Sequence, residues 1–229
     1  MKGSFRNFSF LLIFVAFTAT LNAQSQRQLT PPDIDHSGRA CIILVDNSGS
    51  MREALETAIN ASKSIARDRQ AADVTAIARF GDRGRFEITQ TFTNNTKAIG
   101  DAIDNLYVVG GRTAVADAVY SSIQELSEYT MREKKALVLI TDGVDTNSFY
   151  NNSQLADLLS KARIPVFIVG LTYLNSVRGA MTLFSERNKA ERWLTDVALA
   201  SRGKALFAKS ASDVQTIVDE IRLQLRKGQ

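Results

Sequence analysis

Ala40-Cys41-Ile42-Ile43-Leu44-Val45-Asp46-Asn47-Ser48-Gly49-Ser50 is the stretch that decides the fold. An unbroken apolar run suits a strand buried on both faces, the habit of parallel sheets. The run stops at one carboxylate and two hydroxyls, and a segment of helical periodicity follows. Hard oxygen donors gathered at such a turn suit Mg²⁺ or Mn²⁺. The spacing lets the Ser48 and Ser50 hydroxyls face the same point as Asp46, with Gly49 giving the turn its backbone freedom. Two more oxygen donors stand in similar settings. Thr113 follows Gly110-Gly111-Arg112 and precedes a helical pattern, and Asp142 follows Thr141 at the end of another apolar run.

Outward from that stretch, strands and helices alternate. Strands are expected at about 40–45, 72–80, 86–93, 136–140, 165–170 and 204–208. Helices are expected at about 51–69, 96–106, 114–131, 153–162, 191–200 and 211–226, with Trp193 in or near the core. The first helix would turn Leu55, Ile59, Ser62 and Ala66 inward, and the third Val115, Val119, Ser122, Ile123 and Leu126. The last would bury Val214, Ile217, Val218, Ile221 and Leu225. This rhythm predicts an α/β fold: a doubly wound, mostly parallel sheet covered by helices on both faces. The short link between the second and third strands predicts an antiparallel hairpin at the sheet edge. Ligands of such sheets gather at the carboxyl ends of the strands, where strand order reverses. Asp46 and Asp142 end the two strands that would flank that point.

Asp46, Ser48 and Ser50, followed by Thr113 and then Asp142, resemble the metal-ion-dependent adhesion site of the von Willebrand factor A domain family. That family's pattern is Asp-x-Ser-x-Ser, a Thr and an Asp on three separate loops. Val-Asp-Asn-Ser-Gly-Ser-Met and Leu-Ile-Thr-Asp-Gly-Val-Asp-Thr look like its bacterial branch, and the likeness runs from about Gly38 to about Leu225. The resemblance implies a Rossmann-like sheet of order 3-2-1-4-5-6. It also implies that a Glu or Asp of a partner protein completes the coordination of the bound Mg²⁺ or Mn²⁺. Arg112 departs from the small residue many relatives carry before the Thr. Two readings stand for it: weaker metal affinity, or attraction of an acidic partner.

The chain has 229 residues, enough for one domain with a sizeable core. Residues 1–23 read as a secretory signal peptide: Lys2 and Arg6, then an apolar stretch from Phe8 to Phe17 that is too short to span a bilayer, then Ala23 for cleavage. An uncleaved anchor is the competing reading. Residues 24–38 read as a flexible leader and 39–226 as the domain, exported to the periplasm or secreted. Cleavage would leave 26 basic against 24 acidic residues, with no basic run, so nucleic acid is not implied. Cys41 is the only cysteine, so no internal disulfide can form, and it reads as a buried small hydrophobe. His36, the only histidine, reads as a solvated linker residue.

Three functions compete. The first is an exported, metal-dependent protein-binding module, with no small-molecule substrate and no catalytic residues. Arg112, Asp145, Phe149 and Tyr150 would lie on its binding surface, Phe149 and Tyr150 as aromatic anchors or as rings packed under their own loop. Arg178 and Arg187 could attract acidic partners or simply be solvated. The second is a metal-independent structural or assembly component of an envelope complex. The third is a Mg²⁺-dependent hydrolase with Asp145 as the nearest candidate base, but phosphate-loop, dinucleotide and nucleophile-elbow patterns are all missing. For the serines and Asp46, helix capping competes with metal ligation, and the two are compatible.

Overall fold

The computed structural model describes residues 37–143, 145–173 and 181–227, with side chains in the last span from 186 onward. The expected signal peptide, nearly all of the leader, Val144 and Arg178 lie outside the described residues.

Six strands form one sheet: β1 (Arg39–Asp46), β2 (Val74–Phe80), β3 (Phe86–Thr93), β4 (Lys134–Thr141), β5 (Val166–Gly170) and β6 (Lys204–Phe207). Their order is β3-β2-β1-β4-β5-β6. All neighbours are parallel except β3, which pairs antiparallel with β2 at the edge. Among the described residues six α-helices are interspersed with them: α1 (Leu55–Arg67), α2 (Thr96–Asp104), α3 (Val115–Glu128), α4 (Asn152–Ala162), α5 (Met181–Ala200) and α6 (Val214–Lys227).

The unbroken apolar strands are explained by their surroundings. Ile43, Val45, Val138, Ile140 and Val169 pack on one side against α1, α2 and α6. Ile42, Leu44, Leu137, Leu139 and Ile168 pack on the other against α3, α4 and α5. Successive side chains of one strand thus enter two different cores, so neither position tolerates a polar residue. The edge strands are wetter: β3 exposes Glu87 and Thr91 on one face, and its sequence shows the partial alternation of such a strand.

Three helices depart from expectation. The first is broken: a 3-10 turn at Gly49–Glu53 buries Met51 before α1 starts at Leu55. Its inner face is Ala58, Ala61, Ser62, Ile65 and Ala66, with Leu55 and Ile59 at the flank, because small alanines let α1 lie close on the sheet. α5 begins at Met181, ten residues before the apolar signal starts. The polar run Ser185-Glu186-Arg187-Asn188-Lys189, which carries the ion pairs Arg187 with Glu191 and Lys189 with Glu186, separates Met181, Leu183 and Phe184 from the later apolar residues and interrupts the apolar period in the sequence. The last helix is led by a 3-10 turn at Ala211–Asp213. Trp193 is half-buried against the α3 side of the core and donates its ring N–H to Asn152 Oδ1 at 2.7 Å. Among the described residues no helix is long and apolar enough to cross a membrane.

Cys41 sits half-buried in β1, and burial pushes its thiol up to about 12. Since the thiolate is the nucleophile, native protein at pH 8 should react with iodoacetamide at least about a hundredfold more slowly than protein in guanidinium. Equal rates would show the thiol to be accessible and ionised.

Candidate functional site

β1 and β4 are neighbours, and the helices they feed lie on opposite faces of the sheet. The chain therefore opens a crevice at their carboxyl ends, and Asp46 and Asp142 fall there. Both are buried, as are Asn47, Ser48, Thr113 and Thr141. Asp46 Oδ1 accepts from the Ser48 backbone N–H at 2.9 Å, and Oδ2 accepts from the Thr141 hydroxyl at 2.7 Å. The Ser48 and Ser50 hydroxyl oxygens stand 3.0 Å apart.

Capping does not account for these serines. Ser48 precedes the 3-10 turn without making a side-chain cap bond, and the residue that precedes α1 is Ala54. Gly49 is not the residue whose freedom the turn uses. Positive φ falls instead on Gly110 (82°) and Gly111 (87°) in the neighbouring loop, and on Gly143 (90°) just after Asp142. The Gly110–Gly111 loop packs against Gly49. It is tied down by Asn47, whose backbone carbonyl accepts from Val109 N–H at 2.9 Å and whose side chain donates to Tyr107 O at 3.1 Å. Asn47 thus links the Asp46 loop to the loop that ends in Thr113.

Electrostatics mark Asp46. Burial first, and then the neighbouring Asp142 charge, push its carboxyl up to about 7, against the pull of the Thr141 and Ser48 hydrogen bonds. Two buried carboxylates held next to each other are costly in the metal-free protein, and a cation between them would relieve that cost. Among the described residues no group of three or more His, Cys, Asp or Glu side chains is placed to hold a metal. A cation here would rest on two carboxylates and three hydroxyls, an all-oxygen set of the kind Mg²⁺ accepts together with water.

The loop after β4 is ordered by its own side chains. Asp145 accepts from Ala116 N–H, Asn147 N–H, Ser148 N–H and the Ser148 hydroxyl, at 2.6–3.2 Å. Its carboxylate caps α3 and folds the loop. The Thr113 carbonyl accepts from Thr146 and Asn147 N–H, joining this loop to the Thr113 loop. Asp117, which sequence reasoning missed, clasps the backbone N–H groups of Phe149 and Tyr150 at 2.8–2.9 Å. The two rings meet edge to face at 5.6 Å, but Tyr150 stacks on Tyr120 at 3.7 Å while Phe149 is 70% exposed. Arg112 is exposed and reaches Asn147 Oδ1 at 3.4 Å. Arg187 is engaged by Glu191 at 2.8 Å.

Sequence reasoning also passed over the β2–β3 turn, Asp82-Arg83-Gly84-Arg85. Asp82 accepts from Asn147 Nδ2 at 2.5 Å, and Arg83 donates to the Asn147 and Ser148 carbonyls at 3.1 and 3.3 Å. The Asn147 bond, then the Arg83 N–H, with smaller help from Arg85 and Arg112, hold the Asp82 carboxyl below its usual range.

Comparison with known proteins agrees with this architecture. Residues 41–144 match the profile of the von Willebrand factor type A domain. No curated protein sequence matches. Among solved structures, a von Willebrand factor type A protein from Catenulispora acidiphila superposes with a TM-score of 0.62 at 18% identity, over 84% of this chain and 43% of that one. The conserved hypothetical protein BatB from Bacteroides thetaiotaomicron gives 0.61 at 17% identity, over 83% of this chain and all of that one. The pilus adhesin SpaC from Lactobacillus rhamnosus GG gives 0.63 at 16% identity, over 83% of this chain and 30% of that one. The chain thus spans less than half the length of the first and third of these proteins, and at such identities the likeness is one of fold. With the six-stranded order, the antiparallel edge and the profile match taken together, this chain has the von Willebrand factor type A fold, and its residues 41–144 carry that family's sequence pattern.

Proposed function

We propose that the chain is an exported protein-binding module that holds Mg²⁺ or Mn²⁺ at the carboxyl edge of its sheet and uses it to grip a Glu or Asp of a partner protein. The observation that carries this reading is the buried Asp46 carboxyl, pushed up to about 7 beside Asp142, with the Ser48 and Ser50 hydroxyl oxygens 3.0 Å apart in the same loop. Ser48, Ser50 and Thr113 would supply neutral oxygens. Both Asp46 oxygens already accept one hydrogen bond each, which favours a role for Asp46 through water. A cation held mainly by neutral oxygens stays electrophilic, and a partner carboxylate is then its natural further ligand.

Binding is preferred over hydrolysis because Asp145, the nearest candidate base, commits both oxygens to four donors, three in its own loop and one at the start of α3. That one of the structural relatives is a pilus adhesin is in keeping with this. Export rests on the amino-terminal sequence pattern.

Thermal unfolding under a Mg²⁺ or Mn²⁺ titration tests the reading. Metal at about a hundred times its dissociation constant should add about 2.7 kcal/mol to the parent. Thr113→Ala should need much more metal for the same rise. A parent indifferent to ten-millimolar levels of both ions would instead favour a metal-independent assembly component.

A further inference from the structure

Arg83, Arg85 and Arg112 come from two different loops and meet beside the crevice. Arg83 and Arg112 both bond Asn147, at 3.1 and 3.4 Å, and Arg85 and Arg112 both act on the charge of Asp82. All three are exposed. None of the ion pairs among the described residues uses any of them. Asp82 lies in their midst and spends one oxygen on Asn147 Nδ2 and the Arg83 N–H. Asp117 and Asp145, the other acids of this edge, are taken up by backbone and hydroxyl donors. These acids keep their charge but are half-buried and turned onto neutral donors, whereas the three guanidinium groups are exposed, so the charges this rim holds out to solvent are positive.

This rim borders a groove of mixed lining, in which the charges of Arg79 and Glu87 are paired with each other. The groove, of about 390 Å³, runs from Asn47, next to Asp46, past Tyr107 and Val109 to Arg85. Tyr107 and Val109 are 54% and 42% exposed. Tyr107 is held in place by the Arg79 guanidinium, 4.4 Å from its ring centre, while Glu87 neutralises Arg79 at 2.7 Å. The groove therefore offers a rigid aromatic surface at one end of a basic rim, which is how a hot spot and its steering charges are commonly arranged.

We infer that the partner presents an acidic segment, not a single carboxylate: one acid addresses the metal crevice, and its neighbours pair with Arg83, Arg85 and Arg112. This rests on the metal reading above for where the first acid sits. The arginine contacts are separable from it, because none of the three side chains belongs to the proposed donor set. Arginine suits the task, since its planar fork pairs carboxylates in two-point fashion and stays charged at any working pH.

The test uses a fluorescein-labelled decaglutamate peptide, with decalysine and a neutral Gly-Ser peptide beside it, read by anisotropy in low salt with Mg²⁺. The parent should bind only the glutamate peptide, and more weakly as salt rises. The triple variant Arg83→Ala/Arg85→Ala/Arg112→Ala should bind at least about tenfold more weakly. Lys134→Ala/Lys161→Ala/Lys227→Ala loses the same charge at positions away from the crevice and should stay within about twofold of the parent. Equal losses in the two triple variants, no loss in the arginine variant, or no binding by the parent would each overturn the inference. EDTA and Asp46→Ala report on the metal separately. Binding that needs the arginines and ignores both treatments would remove the metal bridge and leave the acidic surface standing.

Discussion

Gly203→Ala should destabilise the protein by about 3–5 kcal/mol, while Gly100→Ala should stabilise it by about 0.5–1 kcal/mol. The two sites differ in what a methyl group would meet. At Gly203 a Cβ would lie 1.9 Å from the Val166 carbonyl oxygen and within 2.7 Å of the Val166 carbonyl carbon and nitrogen. These are backbone atoms at the start of β5, so no side chain can swing aside. The segment cannot retreat either. Gly203 N–H is bonded to Ala198 O at 2.8 Å, and the buried Ser201 hydroxyl bridges Ala198 O and Val166 N–H at 2.7 and 2.9 Å. Gly100 lies inside α2, and a Cβ there meets nothing within 4 Å. Urea unfolding of both variants measures the difference. A Gly203→Ala variant within about 1 kcal/mol of the parent would mean that the β5–β6 junction can open without loss.

The fold could be read from the sequence because its strands satisfy two cores at once. Ala40 to Val45 has no polar residue because Ile42 and Leu44 enter one core while Ile43 and Val45 enter the other. Only a covered parallel sheet asks for that. The α3 stripe of Val115, Val119, Ser122, Ile123 and Leu126 was equally legible, and every member is buried. The start of α5 was not, since the polar run from Ser185 to Lys189 separates Met181, Leu183 and Phe184 from the later apolar stripe of Leu194, Val197 and Ala198. A polar run within a helix breaks the hydrophobic period by which it would be detected.

The oxygen donors proposed for the site were legible in the sequence. Their supports were not. Asn47 looks like a spacer between Asp46 and Ser48, yet it holds the Tyr107–Val109 segment against β1. Asp117 looks like an ordinary acid in the first turn of α3, yet it fixes Phe149 and Tyr150 through their backbone N–H groups. Asp145 looks like a displayed acid and is an internal clasp. In each case the bond joins residues about thirty or more positions apart, or a side chain to a backbone group. Local pattern carries neither kind of information, and only the topology brings those loops to one edge.

Asp46→Asn should raise stability in EDTA at pH 8 and abolish the response to Mg²⁺, reversing the order of the two proteins when metal is added. The sign follows from the direction of the carboxyl's shift. In the metal-free fold Asp46 binds its proton more tightly than in the unfolded chain, about 7 against 3.8. Its contribution is therefore fully present below pH 4 and is lost as pH rises through 7. That displacement bounds the loss at about 4 kcal/mol. Asparagine has no charge to bury and keeps the local bonds. Its Oδ1 can accept from Ser48 N–H as Asp46 does, and its Nδ2 can donate to the Thr141 hydroxyl oxygen, which has a second lone pair beside the one Gly143 N–H uses. The variant should thus be level with the parent at pH 4, and ahead by roughly 1–3 kcal/mol at pH 8 without metal. Saturating Mg²⁺ should return the lead to the parent, since the cation takes over the role of the missing proton. Denaturant unfolding at both pH values, with and without metal, reads all four corners. A parent that outlasts the variant in EDTA at pH 8 would show that Asp46 and Asp142 sit together without strain, and the case for a cation between them would lose its main physical support.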